Sequence, residues 1–293
     1  MRTRSLGNET VGVVTVGAIG LGTLGLTLPF RPARDRCVRT IHAAIDAGLT
    51  LLDTADSYCA GPSEFGYGER LVAAALAARP GSADAVLVAT KGGYLRPTGD
   101  DWRVRGTPEY LRHACENSLR RLGVETIGLY QHHQVDPAVS YAESLGALRE
   151  LWAEGKIRMV GICNVSIEQI EIARRVLGSA LVSVQNRFAP NHRATEGDLT
   201  YCGTAGLAFL PWCPLGSIAE AGTLGARHPA FAAVAAERGV SPQQICLAWH
   251  LAKAPTVIPI PGASRPESVL ASAAAAEIEL TAGELARLDH PPE

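Results

Sequence analysis

The sequence lacks the marks of membrane, nucleic-acid-binding and disulfide-bonded proteins. Its longest apolar runs fall far short of the roughly 20 residues that cross a bilayer, and no stripe or tail of Lys and Arg suggests a nucleic-acid footprint. The seven cysteines are scattered and none forms a C-x-x-C pair, which favours free thiols in a reducing compartment. The initial MRTRSLGNET is too polar for a signal peptide. We therefore expect a cytoplasmic protein without membrane or nucleic-acid partners.

Low-complexity linkers and charge blocks are also missing, so we expect a single domain over residues 1–293. Hydrophobic residues make up 47% of the chain and charged residues 19%, with a net charge of −2. That balance is ordinary for a globular protein and allows a sizeable core.

Short apolar runs alternate with amphipathic stretches along the whole chain. Strands are predicted at 14–21, 50–53, 85–90, 126–131, 157–162, 181–185, 207–211 and 256–260. Helical patterns lie between them, starting at Thr107–Pro108, Ser166 and Ser241–Pro242 and ending at Gly48 and Gly123. Eight strands that each precede a helix predict a (β/α)₈ TIM barrel. The segment before Gly20 further predicts an N-terminal β-hairpin at the barrel bottom.

The segment GLGTLG, residues 20–25, has the G-x-G-x-x-G spacing of a dinucleotide-binding Rossmann unit. In that fold a helix opens at the third glycine, so that its N-terminus meets the pyrophosphate. Here LTLPFRPAR follows instead, with Pro29 and Pro32, and no helix begins directly. The context therefore speaks against a Rossmann fingerprint.

Polar residues stand where several predicted strands end, which is the rim that carries the active site of a barrel enzyme. They are Asp53 with Tyr58 just beyond, Lys91, His132 and His133, Asn164, Gln185 and Asn186, and Trp212. Taken singly, each has a structural interpretation, such as a turn cap, a solvated lysine or a packed histidine. Taken together, Asp, Tyr, Lys and His on consecutive strands predict a proton donor, because a Lys ammonium lowers the pKa of a neighbouring tyrosine.

These residues lie in segments that resemble the aldo-keto reductase family. GLTLLDTADSY is similar to its G-x-x-x-x-D-T-A-x-x-Y motif, and VATKGG to its lysine motif. LYQHHQVDP resembles the histidine segment and aligns His133, not His132, with the family's histidine. KIRMVGICNVS, SVQNRF, PWCPLG and IPIPGASRPESV resemble the later segments in order, so the likeness spans nearly the whole chain. GLGTLG then resembles the family's first-strand G-L-G-T.

The resemblance implies an oxidoreductase that reduces an aldehyde or ketone with NADPH. Tyr58 would protonate the carbonyl oxygen as hydride arrives, Lys91 would lower the pKa of Tyr58, and Asp53 would pair with Lys91. His133 would orient the carbonyl. No metal is implied, and a metal hydrolase on the same barrel would need more ligands than Asp53, His132 and His133 supply.

The resemblance also implies a set of cofactor-binding residues. They are Gly22, Thr23, Asp53, Asn164, Gln185, Trp212, Cys213, Leu215, Ser217, Gly262, Ala263, Ser264 and Arg265. Among them, Arg265 would meet the adenosine 2′-phosphate. The sequence departs from the family at Cys163, where Ser is usual, and at Ala271 and Ser272, where a Glu-Asn pair is frequent. NADH therefore stays an alternative cofactor.

The resemblance is compatible with three functions. The protein is a general carbonyl reductase, a pathway-specific reductase of a keto-sugar or polyketide intermediate, or a non-catalytic NADPH-binding regulatory subunit. The small-molecule carbonyl substrate, the physiological direction of the reaction and the oligomeric state are not readable from the sequence. The Arg-rich, Lys-poor composition is typical of a bacterial source with GC-rich DNA.

Overall fold

The structure is a computed structural model that describes residues 1–99 and 101–290. Its strands are β1 (Thr3–Leu6), β2 (Val14–Gly17), β3 (Leu21–Gly22), β4 (Leu51–Asp53), β5 (Leu87–Gly92), β6 (Tyr94–Leu95), β7 (Arg103–Val104), β8 (Ile127–His132), β9 (Ile157–Cys163), β10 (Leu181–Gln185) and β11 (Ala208–Phe209). Its helices are α1 (Arg34–Asp46), α2 (Tyr67–Ala77), α3 (Pro108–Leu122), α4 (Tyr141–Ala153), α5 (Ile167–Leu177), α6 (Glu196–Thr204), α7 (Leu224–Arg227), α8 (Pro229–Arg238), α9 (Pro242–Lys253), α10 (Pro266–Ala275) and α11 (Ala282–Asp289).

Seven of these strands form one parallel sheet in the order β11-β10-β9-β8-β5-β4-β3. A helix lies between each strand of this sheet and the next one along the chain. The short β6–β7 hairpin, which is not part of this sheet, also lies between β5 and β8. The alternation of strand and helix predicted from the sequence is thus confirmed for seven strands. Because all seven are parallel, their carboxyl ends meet along one edge, where ligand sites of such sheets lie.

The predicted eighth strand, 256–260, is not a strand in the structure. The backbone N–H of Phe209 in β11 donates to the Thr256 carbonyl at 2.9 Å, and that of Gly22 in β3 donates to the Pro261 carbonyl at 3.0 Å. The segment therefore hydrogen-bonds to both edges of the sheet. Pro259 and Pro261 lack an N–H, which prevents a continuous ladder.

The predicted first strand, 14–21, is also divided in the structure. Residues 14–17 form β2, which pairs antiparallel with β1, and only Leu21 and Gly22 join the parallel sheet as β3. The β1–β2 pair is the N-terminal hairpin expected from the sequence. Its Leu6 and Val16 side chains pack in one buried cluster with Leu51 and Leu87, the first residues of β4 and β5. The hairpin therefore covers the amino-terminal end of the sheet.

The helix boundaries follow the local chemistry predicted for them. Thr107 caps α3, which has Pro108 in its first turn and ends at Gly123 with a φ of 71°. Ser166 and Ser241 each form a capping box at the start of α5 and α9. Two buried clusters pack the helices onto the sheet. Within the described ranges, no helix combines the length and apolarity needed to span a bilayer.

Gly22 ends β3 where the chain passes closest to the 256–261 segment. A β-carbon on Gly22 would lie 2.8 Å from the carbonyl oxygen of Ile260, a backbone atom that cannot move aside cheaply. We expect Gly22→Ala to lower the free energy of unfolding by about 1–3 kcal/mol, measured by urea denaturation. Gly25→Ala is the matched control, because a β-carbon at that position would have no neighbouring atom within 4 Å. Equal stabilities of the two variants would contradict this prediction.

Candidate active site

Lys91, at the carboxyl end of β5, joins the two other polar residues that the sequence places on neighbouring segments. Its Nζ donates to Asp53 Oδ1 at 2.5 Å and to the hydroxyl of Tyr58 at 3.2 Å. It also donates to the Thr54 carbonyl at 2.9 Å. Lys91 is fully buried, whereas Tyr58 keeps 9% of its surface exposed. Three predicted residues therefore form one continuous chain of hydrogen bonds whose last member reaches the surface.

The second oxygen of Asp53 is held by two amides. Its Oδ2 accepts from Gln131 Nε2 at 3.0 Å and from Gln185 Nε2 at 2.8 Å. Gln185 also donates to Gln131 Oε1 at 3.1 Å, and the Cys163 thiol lies 3.8 Å from that same oxygen. The sequence prediction missed Gln131, although it lies inside the LYQHH segment. The two hydrogen bonds from Gln131 and Gln185 to Oδ2 leave Oδ1 of Asp53 directed at Lys91.

Burial and charge set the protonation states of these groups. Burial raises the pKa of Tyr58 to about 12, although the charge of Lys91 pulls it downward. Burial is the largest single influence on the pKa of Lys91 and lowers it, but the charge of Asp53, the hydrogen bond to Asp53 and the neighbouring Tyr58 and Cys163 together outweigh burial and raise that pKa. Lys91 therefore stays charged and Tyr58 stays protonated near neutral pH. The sequence-based expectation that Lys91 lowers the pKa of Tyr58 describes one contribution, and desolvation exceeds it.

His133 follows β8 directly and lies against Tyr58. The two rings meet edge to face with centroids 5.7 Å apart. Burial and the nearby Lys91 charge hold the pKa of His133 well below its usual range, so the imidazole is neutral. The backbone carbonyl of His133 accepts from Asn164 Nδ2 at 3.0 Å, and Asn164 Oδ1 accepts from Trp212 Nε1 at 3.0 Å. His133 and Trp212 are thus connected through Asn164.

A cavity of about 540 Å³ opens beside these residues. It is lined by thirteen of the sequence-predicted site residues, namely Gly22, Asp53, Tyr58, His133, Asn164, Gln185, Trp212, Cys213, Leu215, Ser217, Gly262, Ala263 and Ser264. Three others do not line it. Lys91 lies behind Tyr58, Thr23 is buried with its hydroxyl on the Asp53 carbonyl, and Arg265 is exposed, with Nε donating to Ser268 Oγ at 3.1 Å.

The cavity has features that suit the dinucleotide implied by the family resemblance. The half-buried indole of Trp212 offers a flat surface whose orientation is fixed by Asn164. Ser217 and Ser264 add small polar groups along the wall. Within the described residues, however, no Lys or Arg lines the cavity. Arg265, exposed next to the cavity-lining Ser264, is the cationic residue predicted to meet a phosphate at the rim.

Two of the predicted cofactor-binding residues, Asn164 and Gln185, already have hydrogen-bond partners in the protein. Asn164 uses both side-chain groups, toward His133 and Trp212, and Gln185 directs its amide hydrogens to Asp53 and Gln131. Asn164 also has a φ of 57°, a left-handed conformation that Asn tolerates better than most residues. Gln185 lines the cavity, and its hydrogen bonds to Asp53 and Gln131 use its amide nitrogen and not its amide oxygen. This leaves Gln185 as the better placed of the two to accept from a ligand.

His132, the alternative histidine of the sequence, lies away from the cavity. It is fully buried, its ring lies 5.7 Å from that of Tyr141, and neither ring nitrogen has a hydrogen-bond partner among the described residues. His132 therefore belongs to the packing between β8 and α4, and only His133 faces the candidate site.

The burial of His132 predicts a pH-dependent stability. Burial lowers its pKa from 6.5 to about 4, so the folded protein binds fewer protons than the unfolded chain between these values. The free energy of unfolding must then fall as the pH drops through this window, by about 2 kcal/mol between pH 7 and pH 5 for this residue. Urea denaturation at both pH values measures the loss. His132→Gln should show a smaller loss than the wild type, and an equal loss would refute the assignment.

Groups that could hold a metal are absent from the described ranges: no three His, Cys, Asp or Glu side chains are suitably clustered there. The chemistry of the site is that of a buried Lys–Asp pair that supports a partly exposed phenol. Such an arrangement can deliver a proton to a ligand in the cavity.

Comparison with known proteins gives the same family as the motifs. The model of the aldo/keto reductase family matches residues 18–291. An uncharacterized oxidoreductase of Schizosaccharomyces pombe is 35% identical over 87% of this chain and 79% of its own length. The 6-dehydroglucose reductase of Novosphingobium aromaticivorans is 34% identical over 82% and 80%.

The fold agrees with that assignment. An aldo-keto reductase of Klebsiella pneumoniae, solved in complex with NADPH, superposes with a TM-score of 0.80 and 32% identity, covering 99% of this chain and 95% of its own. Its likeness and the curled parallel sheet identify a fold of the TIM-barrel type. The family resemblance read from the sequence is confirmed, and the chain belongs to the aldo/keto reductase family.

Proposed function

We propose that the protein reduces an aldehyde or ketone to an alcohol with NADPH, using Tyr58 as the proton donor. One observation carries this proposal, the hydrogen-bonded chain Asp53–Lys91–Tyr58 that ends beside His133 on the cavity wall. When bound, NADPH supplies the hydride that the carbonyl carbon accepts, and NADP⁺ is left. The carbonyl oxygen takes its proton from the Tyr58 hydroxyl, which completes the alcohol.

Each member of the chain has a distinct task. Tyr58 holds its proton until the carbonyl oxygen becomes basic, since burial keeps its pKa at about 12. Lys91 then stabilises the tyrosinate that forms, because its ammonium already lies 3.2 Å from the phenol oxygen. Asp53 is a positioning residue that holds Lys91 in place. The neutral imidazole of His133 can donate one N–H to the carbonyl oxygen and so orient it.

The remaining predicted residues would hold the cofactor along the cavity. We assign the nicotinamide end to Trp212, Gln185 and the backbone at Gly22, with Thr23 as the buried residue behind it. The phosphate-bearing end would lie along the two wall segments formed by residues 213–217 and 262–264, with the exposed Arg265 next to the second segment. In support, a relative of 32% identity was solved with NADPH. In this arrangement, residues 256–261 take the place of the eighth barrel strand, since they hydrogen-bond to both β11 and β3.

The preference for NADPH over NADH rests on Arg265. Its guanidinium is exposed at the start of α10 and suits a phosphate. The test follows cofactor absorbance with aromatic and aliphatic aldehydes, using NADPH and NADH, in wild type and Arg265→Ala. We expect the KM for NADPH to rise about tenfold in the variant, the loss of one charge-assisted contact, with little change for NADH. If the wild type oxidised NADPH and NADH equally well, the proposed preference for NADPH would be wrong, but the proposed reductase activity would stand.

One observation favours the narrower alternative, a pathway-specific reductase of a keto-sugar. The relative from Novosphingobium aromaticivorans is named a 6-dehydroglucose reductase. Activity on keto-sugars with none on simple aldehydes would establish this alternative. Binding of NADPH without turnover of either class would instead favour a regulatory subunit.

A cytoplasmic location is also part of the proposal. All seven cysteines are unpaired in the structure. Thiols that stay reduced fit a reducing compartment.

A further inference from the structure

We infer that the site selects uncharged carbonyl compounds that carry a flat ring, and discriminates against those that carry a carboxylate. This inference rests on the reductase function proposed above. It begins with an aromatic row of four rings, Tyr58, His133, Tyr94 and Trp102, all of which line the cavity. Consecutive centroids lie 5.7, 4.8 and 5.5 Å apart, and each pair meets edge to face. The aromatic row therefore leads from the proposed proton donor to the cavity mouth, where Trp102 is 37% exposed.

Tyr94 is held in place on the protein side. The Tyr94 hydroxyl donates to Gln134 Oε1 at 3.2 Å, and the Tyr94 carbonyl accepts from the Tyr110 hydroxyl at 3.0 Å. Its strand β6 pairs antiparallel with β7, with Tyr94 opposite Val104, which fixes the backbone of Tyr94. The inner half of the aromatic row therefore exists before a ligand arrives, and little order has to be gained on binding.

Trp102 is held by Arg96. The Arg96 guanidinium lies 4.0 Å from the centre of the indole ring. Arg96 itself is buried and donates to the carbonyls of Ser57 and Gly99. Its charge is thus directed at the indole and at backbone oxygens, and it does not line the cavity. Arg96 therefore fixes the indole of Trp102, but its charge does not face a ligand in the cavity.

The charged side chains around the cavity are paired within the protein or lie outside its wall. Among the residues that the structure describes, no Lys or Arg lines it, and its one carboxylate, Asp53, is paired with buried Lys91. Arg103 points into solvent and pairs with Asp101 at 2.7 Å, and Arg105 is exposed. The neutral state of His133 removes one further source of positive charge. The guanidinium of Arg187 lies 5.8 Å from the centre of the Trp212 ring, but Arg187 does not line the cavity. A substrate carboxylate beside the aromatic row would therefore lose its hydration without gaining a cationic partner on the wall, which disfavours its binding.

The experiment compares two substrates with the same ring and aldehyde, methyl 4-formylbenzoate and 4-carboxybenzaldehyde, with NADPH; they differ only in whether the para carboxyl group is a neutral ester or a carboxylate. We expect kcat/KM for the ester to exceed that for the acid by at least about tenfold. Trp102→Ala should lower the ratio of kcat/KM for the ester to that for butanal by about two- to tenfold, which Trp102→Phe should largely restore. Equal kcat/KM for acid and ester, or an unchanged ratio in Trp102→Ala, would overturn the inference.

Ile218→Lys supplies the missing charge at an exposed position on the cavity wall. We expect Ile218→Lys to reduce the ratio of kcat/KM for the ester to kcat/KM for the acid. Ile218→Gln is the neutral control. If the wild type reduces no aldehyde at all, the proposed function fails separately. Calorimetric binding of the two corresponding alcohols to the protein with NADP⁺ then still decides the inference. Tighter binding of the ester alcohol supports it, and equal or tighter binding of the acid overturns it.

Discussion

Replacing Tyr58 with Phe is expected to lower kcat for carbonyl reduction by roughly 10²–10⁴-fold. The substitution removes only the hydroxyl that lies 3.2 Å from Lys91 Nζ, and with it the proposed proton donor. The ring keeps its edge-to-face contact with His133, and Lys91 keeps its bonds to Asp53 and the Thr54 carbonyl. The folded structure and the affinity for NADPH should therefore persist. Stopped-flow and steady-state absorbance of NADPH measure kcat, and fluorescence titration measures cofactor binding.

Tyr201→Phe is the matched control for Tyr58→Phe. Its hydroxyl accepts from Arg174 Nη1 at 2.9 Å on the outside of the protein, and Tyr201 does not line the cavity. It should therefore leave kcat unchanged. The wild type adds a second check. Because the pKa of Tyr58 is about 12, ionisation of the donor should not reduce kcat for reduction between about pH 6 and pH 10. A Tyr58→Phe variant that retains most of its kcat would remove Tyr58 from the proposed mechanism.

The placement of the polar residues could be predicted because it depends on topology. In a parallel sheet with helical crossovers, every strand ends at the same edge, so residues that follow successive strands converge. Asp53, Lys91 and His133 reached one site for this reason alone. The exact partners of Asp53 could not be predicted. Gln131 is an ordinary polar residue in an apolar strand, and only the packed structure aims its amide at the carboxylate.

The two adjacent histidines illustrate a second limit. Side chains alternate across a strand, so neighbours face opposite sides, but the sequence does not say which side is which. In the structure, Gln131 lies on the face of the sheet that carries Asp53, and His132 lies on the opposite face, against Tyr141 of α4. Family resemblance distinguished His133 from His132, whereas residue chemistry treated them alike. Only the register of β8 explains the difference.

The edges of the sheet were the least predictable part of the fold. An apolar run of β-branched residues, TVIPI, predicts a strand at 256–260, and its hydrogen bonds to both neighbours agree with that position. Pro259 and Pro261 nevertheless interrupt the pairing, because each removes a donor. Residues 14–21 similarly serve both the hairpin and the sheet. In each case a pattern of hydrophobicity located the segment, and backbone hydrogen bonding decided its form.

Lys91→Met is expected to lower the free energy of unfolding by about 3–5 kcal/mol. Lys91 is 0% and Asp53 1% exposed, so removal of the ammonium leaves a buried carboxylate without its counter-charge. Asp53→Asn should destabilise for the converse reason, because it leaves the buried ammonium without a carboxylate partner. Urea denaturation at neutral pH measures all variants.

The double variant Lys91→Met/Asp53→Asn separates a true pair from two independent residues. With both charges gone, the double variant should lose less free energy of unfolding than the two single variants lose in sum, by about 1–3 kcal/mol. Arg287→Met is the control on an exposed pair, because Arg287 bonds Glu237 at 2.7 Å with side chains that are 43% and 53% exposed. Solvent screening should limit its cost to about 1 kcal/mol or less. Additive losses in the double variant would mean that Asp53 and Lys91 act separately, which would contradict the role of Asp53 as the residue that positions Lys91.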